Sequence, residues 1–344
     1  MNTPSTTHMR REVLDIPDVT RRLLREGNGA FKEVAARLRA TEPGVVVTVA
    51  RGSSDHAATY FKYACELTMG VPVASIGPSI ASIYGASLNL RNAACIGISQ
   101  SGQSPDIVRM MKSARDHGAL SIAITNEPSS PLASVSDTAI PICAGVEKSV
   151  AATKTFVASI VAELALLAHW ARDHALIAAV EALPDHFEQA VQFDWPHLQD
   201  ALQSKATLFT LGRGTSLSIA HEAALKFKET CQIHAEAYSS AEVLHGPVSV
   251  VEPGFPILAL VARDATQPSV AETCDRLVAN GATVFATSDM VSPERRLDFV
   301  ATGHSLTDPL ALVVSFYSFI ERLAQARGID PDTPRNLKKV TETV

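Results

Sequence analysis

The sequence predicts an α/β protein of two similar doubly wound domains, each built on a parallel sheet. Short apolar, β-branched runs alternate with helical segments of about 10–15 residues, the pattern of strand–helix–strand crossovers in sheets covered on both faces. Polar turns rich in Gly and Ser follow strands at their carboxyl ends, where open α/β sheets hold ligands. The pattern then restarts. Arg51-Gly52-Ser53-Ser54 is echoed by Arg213-Gly214-Thr215-Ser216, an offset of 162 (213 − 51), and Ala119 to Asn126 by Ala282 to Asp289, an offset of 163 (282 − 119). Two separate matches at nearly one offset argue for an internal duplication.

Taken in order, Met1 to His8 is small and polar and reads as disordered, whereas Arg10 to Arg39 carries helical spacing through Val13, Ile16, Val19, Leu23 and Leu24. Val45 to Ala50 is a buried strand by length and β-branching. It meets Arg51 to Asp55, then an Ala-rich helix from His56 to Met69. Strands follow at Pro72 to Ile76, Cys95 to Ser99, Leu120 to Thr125 and Ala139 to Ile142, with a helix from Pro105 to His117. Helical patterns run from Val150 to Arg172 and from Ala175 to Gln203, broken near Pro184. The second round has strands at Thr207 to Leu211, Pro256 to Ala262 and Ala282 to Asp289, a helix up to Cys231, and a strong helical run from Asp308 to Arg327. Asp330 to Lys339 reads as an extended tail, because Pro331 and Pro334 prevent a regular helix. The organisation is therefore a helical extension (1–40), a first domain (41–200), a second (201–328) and a tail (329–344).

Composition narrows the function. The chain has 344 residues, which suits about two domains. Apolar residues make up 46% but aromatics only 6%, so Ala, Val, Leu and Ile must fill the cores. A net charge of −6 argues against a nucleic-acid partner. Five scattered cysteines without a C-x-x-C pair indicate neither a disulfide framework nor a zinc site, as suits a reducing cytoplasm. Met1 to Arg11 lacks the apolar core of a signal peptide. The longest apolar stretch, Ile160 to Ala171, contains Glu163 and His169 and is too short to span a bilayer. The expectation is a soluble cytoplasmic protein with no membrane partner.

Two polar clusters stand out. Ile98 to Asp106 runs strand, polar turn, helix start, with Pro105 suited to the first helical turn. Free N–H groups there, with the hydroxyls of Ser99, Ser101 and Ser104, form an anion site held by neutral donors; the plainer reading is a capping turn. In the second cluster Glu222, Lys226 and Glu229 are spaced i, i+4, i+7 on one helix face, a pattern that is usually an exposed salt-bridged surface. Downstream lie His234, Glu236, Glu242 and His245, without a metal-binding spacing. A Glu and a His beside a sugar-sized cleft suit proton transfer.

Together these segments resemble the sugar isomerase (SIS) domain family, and most of all the isomerase half of glucosamine-6-phosphate synthase. The motifs that carry the resemblance are Arg51 to Ser54, Ser99 to Ser104, Val150 to Lys154, Glu222 to Glu229, His234 to Tyr238, Glu242 to Pro247 and Pro334 to Lys339, in the family's order. The resemblance implies two flavodoxin-like SIS domains. It implies that Ser99, Gln100, Ser101 and Ser104, helped by Ser53 and Ser54, hold a sugar phosphate. Val150 and the backbone of Ala151 and Ala152 would contact the sugar. Glu229 would move a proton between C1 and C2, with Lys226 as relay. His245 would assist ring opening from the neighbouring subunit of a homodimer with shared active sites. Lys339 would form an imine with the ketose. This chemistry requires no metal and no cofactor: one base shuttles the proton and one lysine activates the carbonyl.

The sequence departs from the synthase at Arg51, where a smaller residue is usual, at Ala152 in place of serine, and at Gln103 and Ser104 in place of Glu and Thr. Only about 40 residues precede the first strand and none is Cys, so no glutaminase function is expected. The reading is an isomerase/deaminase interconverting glucosamine 6-phosphate and water with fructose 6-phosphate and ammonia, or a related isomerase or fructosamine-6-phosphate deglycase. A non-catalytic phosphosugar sensor is the alternative from another class; it would not need Glu229, His245 and Lys339 together.

Overall fold

The computed structural model describes residues 6–339. These divide into two compact units, one of Asp18–Glu147, Lys154–Glu181 and the tail from Lys338, the other of the N-terminal segment to Pro17, Lys148–Thr153 and Ala182–Leu337. The chain enters on α1 (His8–Leu14), which belongs to the second unit.

The first unit contains most of α2 (Ile16–Thr41), then β1 (Val45–Val49), α3 (Ser53–Met69), β2 (Val73–Ser75), α4 (Ser79–Ser82), β3 (Ala93–Ile98), α5 (Pro105–Asp116), β4 (Leu120–Thr125), α6 (Pro131–Val135), β5 (Thr138–Pro141), α7 (Lys154–Ala171) and α8 (His174–Glu181). Its five strands are all parallel, in the order β2-β1-β3-β4-β5. That is the flavodoxin order, with its switch point between β1 and β3. Every residue of β3 is buried, which explains its unbroken apolar run. Val47, Val49, Cys95, Met110, Met111 and Leu132 share a core between the sheet and α5.

The second unit adds α9 (Leu183–Ala190), α10 (Pro196–Leu202), β6 (Thr207–Gly212), α11 (Thr215–Cys231), β7 (His234–Ser239), β8 (Pro256–Ala259), α12 (Gln267–Ala279), β9 (Thr283–Ala286) and α13 (Asp308–Ala326). Its four parallel strands run β7-β6-β8-β9, the same order one strand shorter. The duplication extends to backbone angles. Gly52 before α3 has φ 57° and ψ −134°, and Gly214 before α11 has φ 60° and ψ −133°. Only glycine occupies that region at ordinary cost.

Several elements depart from the sequence expectation. Residues 1–5 and 340–344 lie outside the described residues, but Thr7 and His8 are ordered: the Thr7 side chain caps α1. The helical run from Arg10 divides at Asp15, and Pro17 sits in the first turn of α2. Helix α3 starts at Ser53 rather than His56, because the Gly52 turn reverses the chain there. The expected helix from Val150 starts at Lys154, where the Glu147 carboxylate accepts from Thr155 N (3.1 Å) and Thr155 Oγ1 (2.7 Å). Strand β7 was not expected; its burial barely alternates, so it lacks a strong period-two signal.

By length and composition α7 could pass for a membrane span, yet 89% of it is buried within the fold. In its middle, Glu163 is fully buried, and neither carboxylate oxygen has a hydrogen-bond partner among the described residues. Burial pushes this carboxyl well above its ordinary value. The folded chain therefore keeps a proton that the unfolded chain releases, and stability falls as pH rises above the ordinary 4.5. Glu163→Met should raise stability at pH 7 by about 1–3 kcal/mol. In urea melts across pH 4–8 that gain should shrink toward the acid end; a gain independent of pH would show that Glu163 does not titrate in this way.

Candidate active site

Each unit presents its own constellation. In the first, the turn after β3 is folded by its own side chains. Ser99 Oγ accepts from Gly102 N (3.2 Å) and Ser101 Oγ from Gln103 N (3.3 Å). Asn126 N donates to Gln100 O (3.1 Å), and Leu132 N to Gly102 O (3.1 Å). Gly102 has φ +60°, and a Cβ on it would fall 2.2 Å from Ser130 Oγ, so the turn admits no side chain there. Ser104 precedes α5 and makes no capping bond with its hydroxyl. Ser99 is buried, whereas Gln100, Ser101 and Ser104 are partly open.

Ser53 and Ser54, both partly open, form the first turn of α3. Arg51, just before them, joins this loop to the Ser-rich turn. Its Nε and Nη2 donate to Asp106 Oδ2 at 2.6 and 2.5 Å, and the Asp106 side chain is fully buried. Asp106 Oδ1 also accepts from Ile107 N (2.8 Å). The Arg51–Asp106 pair thus ties the carboxyl ends of β1 and β3 together.

Lys339, in the tail, donates from Nζ to Glu147 Oε2 at 2.7 Å; the Lys339 side chain is 27% exposed and that of Glu147 is not exposed. The same carboxylate holds the start of α7. This lysine is a docked side chain rather than a solvated one.

In the second unit, α11 carries Glu222, Lys226 and Glu229. The surface reading of this face is overturned. Glu222 and Lys226 have no side-chain exposure, and Glu229 has 20%. Lys226 Nζ stands 3.1 Å from Glu222 Oε1 and 2.7 Å from Glu229 Oε2, while Tyr317 Oη of α13 donates to Glu222 Oε1 (2.8 Å). Burial alone would lower the lysine value, but Glu222 and then Glu229 outweigh it, and the ammonium titrates above its ordinary 10.5. A fixed cation thus lies against a carboxylate that reaches the surface.

Val150 and Ala152 are partly open and Ala151 is buried. They follow a turn whose amides at Lys148 and Ser149 are held by the Glu12 carboxylate. His245 is exposed, just after a single 3₁₀ turn at Glu242–Leu244. His234 is exposed and 4.0 Å from Glu236, which accepts from Tyr238 Oη (2.7 Å); this is a solvated cluster. The geometry thus unites Glu222, Lys226 and Glu229, and separately the Ser99–Ser104 turn with Arg51. It leaves His245 without a side-chain partner among the described residues. Asp106, Glu147 and Glu12 were not found from sequence, because each acts on a segment distant along the chain.

The SIS domain profile matches residues 42–169 and 201–306. This chain belongs to the SIS domain family. It is 33% identical over 328 residues to the glutamine–fructose-6-phosphate aminotransferase (isomerizing) of Symbiobacterium thermophilum, covering 89% of this chain and 52% of the relative. The chain thus spans about half the length of the curated relatives it matches. A crystal structure of a candidate phosphosugar isomerase from Silicibacter pomeroyi DSS-3 superposes with a TM-score of 0.93 at 57% identity, covering 95% of this chain and all of that one. The C-terminal domain of glucosamine-fructose-6-phosphate aminotransferase from Francisella tularensis has the same fold, with a TM-score of 0.86 at 24% identity over 97% of this chain and all of that one. The fold expected from sequence, two parallel-sheet SIS domains, is the fold of this chain.

Removing the buried ammonium should be costly, since two carboxylates would lose their counter-charge. Lys226→Met should destabilise by about 3–5 kcal/mol in chemical denaturation. Because the folded lysine titrates above 10.5, its contribution in the parent is fully present below that pH and lost only as pH climbs past it. A loss under 1 kcal/mol would mean that the triad is solvated.

Proposed function

We propose that this chain is a phosphosugar aldose–ketose isomerase and deaminase, converting glucosamine 6-phosphate and water to fructose 6-phosphate and ammonia. The observation that carries the reading is the α11 triad: a partly exposed carboxylate, Glu229, against a buried lysine that titrates above its ordinary range. Burying ions generally costs stability, and a carboxylate that reaches the surface beside a fixed cation suits proton transfer. Membership of the SIS family and the likeness to an isomerizing aminotransferase support the substrate class.

The roles follow. The neutral donors of the Ser99–Ser104 turn, with Ser53 and Ser54, hold the phosphate. His245 assists ring opening from the partner subunit of a homodimer. The Val150–Ala152 backbone orients the open chain. Glu229 takes the C2 proton and returns it at C1, leaving an imine at C2, while Lys226 balances the charge. The neutral amine of Lys339 then displaces ammonia, and water hydrolyses the new imine to the ketose and free lysine. In this scheme Glu147, which already accepts from Lys339, takes the proton that makes the amine nucleophilic.

Arg51 and Ala152 favour a second reading, a related phosphosugar amine such as a 6-phosphofructosamine, because they differ from the synthase pattern at the expected sugar contacts. An ammonia-release screen over 6-phosphorylated amino sugars and fructosamines separates the two. Glu229→Gln should lower kcat by about 10²–10⁴-fold with phosphosugar binding retained. Borohydride should trap a ketose phosphate on Lys339 of the parent and not of Lys339→Ala. Normal turnover by both variants would refute this mechanism.

A further inference from the structure

We propose that helix α1 is a positioning bracket that sets two substrate-handling segments of the second unit, the turn before Val150 and the root of the Lys339 tail. The inference rests on the function proposed above for its catalytic consequence, but not for the bracket itself. Although only seven residues long, α1 is fastened on three sides. Met9 and Val13 are fully buried. Thr7 Oγ1 donates to Glu321 Oε1 (2.7 Å), and Arg10 Nη1 donates to Ser318 Oγ (2.9 Å), both on α13. From this fixed base two contacts reach outward.

The first is Glu12, itself 6% exposed. Its carboxylate accepts from the backbone N–H of Lys148 and, at 3.3 and 3.2 Å to its two oxygens, from that of Ser149. Residues 148–153 lie outside any helix or strand, so these amides have no ladder to satisfy them, and a charged acceptor shared by two successive amides fixes the turn strongly. The next residues are Val150, Ala151 and Ala152, the expected sugar contacts. The second contact is Asp332. Its carboxylate accepts from His8 N (2.5 Å) and Met9 N (2.8 Å), the free donors of the first turn of α1. Asp332 precedes Lys339 by seven residues (339 − 332). One short helix therefore governs both segments through carboxylates separated from their partners by 136 or more positions.

Glu12 and Asp332 are positioning residues, and their substitutions should separate kinetically. Glu12→Gln should raise KM for the phosphosugar about tenfold with kcat nearly unchanged, because it loosens a contact made equally in ground and transition states. Asp332→Asn should lower kcat and the yield of borohydride trapping at Lys339 by about tenfold or more, with KM little changed. A merely structural role would lower the melting temperature and leave both parameters of the folded fraction intact. Amide hydrogen exchange on the free protein supplies a readout that needs no substrate: Glu12→Gln should speed exchange in residues 148–153, and Asp332→Asn in α1. Unchanged exchange together with normal phosphosugar turnover by the parent would overturn the bracket alone. Faster exchange with no phosphosugar bound by the parent would overturn the proposed function and the kinetic role with it.

Discussion

The interaction on which the rest of the second unit depends is the ammonium of Lys226, enclosed between Glu222 and Glu229. A charge without side-chain exposure is tolerated only where its donors are satisfied, and here α11 supplies both carboxylates from its own face while α13 supplies Tyr317 to the same Glu222 oxygen that the ammonium meets. This dictates the packing of two helices: α13 must lie on α11 so that Tyr317 arrives at Glu222, and the Phe227–Phe316 pair, with ring centroids 5.4 Å apart, fills the space beside them. Small residues elsewhere on α11, such as Ala220, Ala223 and Ala224, let the neighbouring layers close in.

The fold was legible to the extent that its signals were local. The buried strands β1, β3 and β4, the Gly-bearing turns and the two rounds of the duplication all lie in short windows whose composition admits few alternatives. The start of α7 was misplaced because contacts from outside its window decide it. Val150 to Thr153 has helical composition, but the carboxylates of Glu12 and Glu147 claim the amides around it. The triad illustrates the same limit. A spacing of i, i+4, i+7 is identical on a solvated face and in a core, and only the aromatic surface of α13, some ninety residues later, decides between them. Asp106 was read as part of a polar turn; the pairing of its buried carboxylate with Arg51, 55 positions away, was not accessible to any window.

The duplicated halves have diverged in a physically intelligible direction. Both keep the glycine turn after their first strand, with matching angles. After its third strand in sequence, the first half places neutral hydroxyls and amides, whereas the second continues from β8 to Arg263. That guanidinium donates to Asp308 and stacks on Phe299, 4.0 Å from the ring centroid. One turn has been kept open and weakly charged, and its counterpart has been spent on cross-linking α13 to the sheet.

Helix α1 has a consequence for how the molecule is made. Its partners on α13 and at Asp332 are more than 300 residues downstream. Its buried face stays uncovered until those distant segments are in place. Closure of so long a loop is slow and entropically costly, so the docking of α1 belongs to the final steps of folding. A chain interrupted shortly before Asp332 would assemble its sheets and still lack this last fastening.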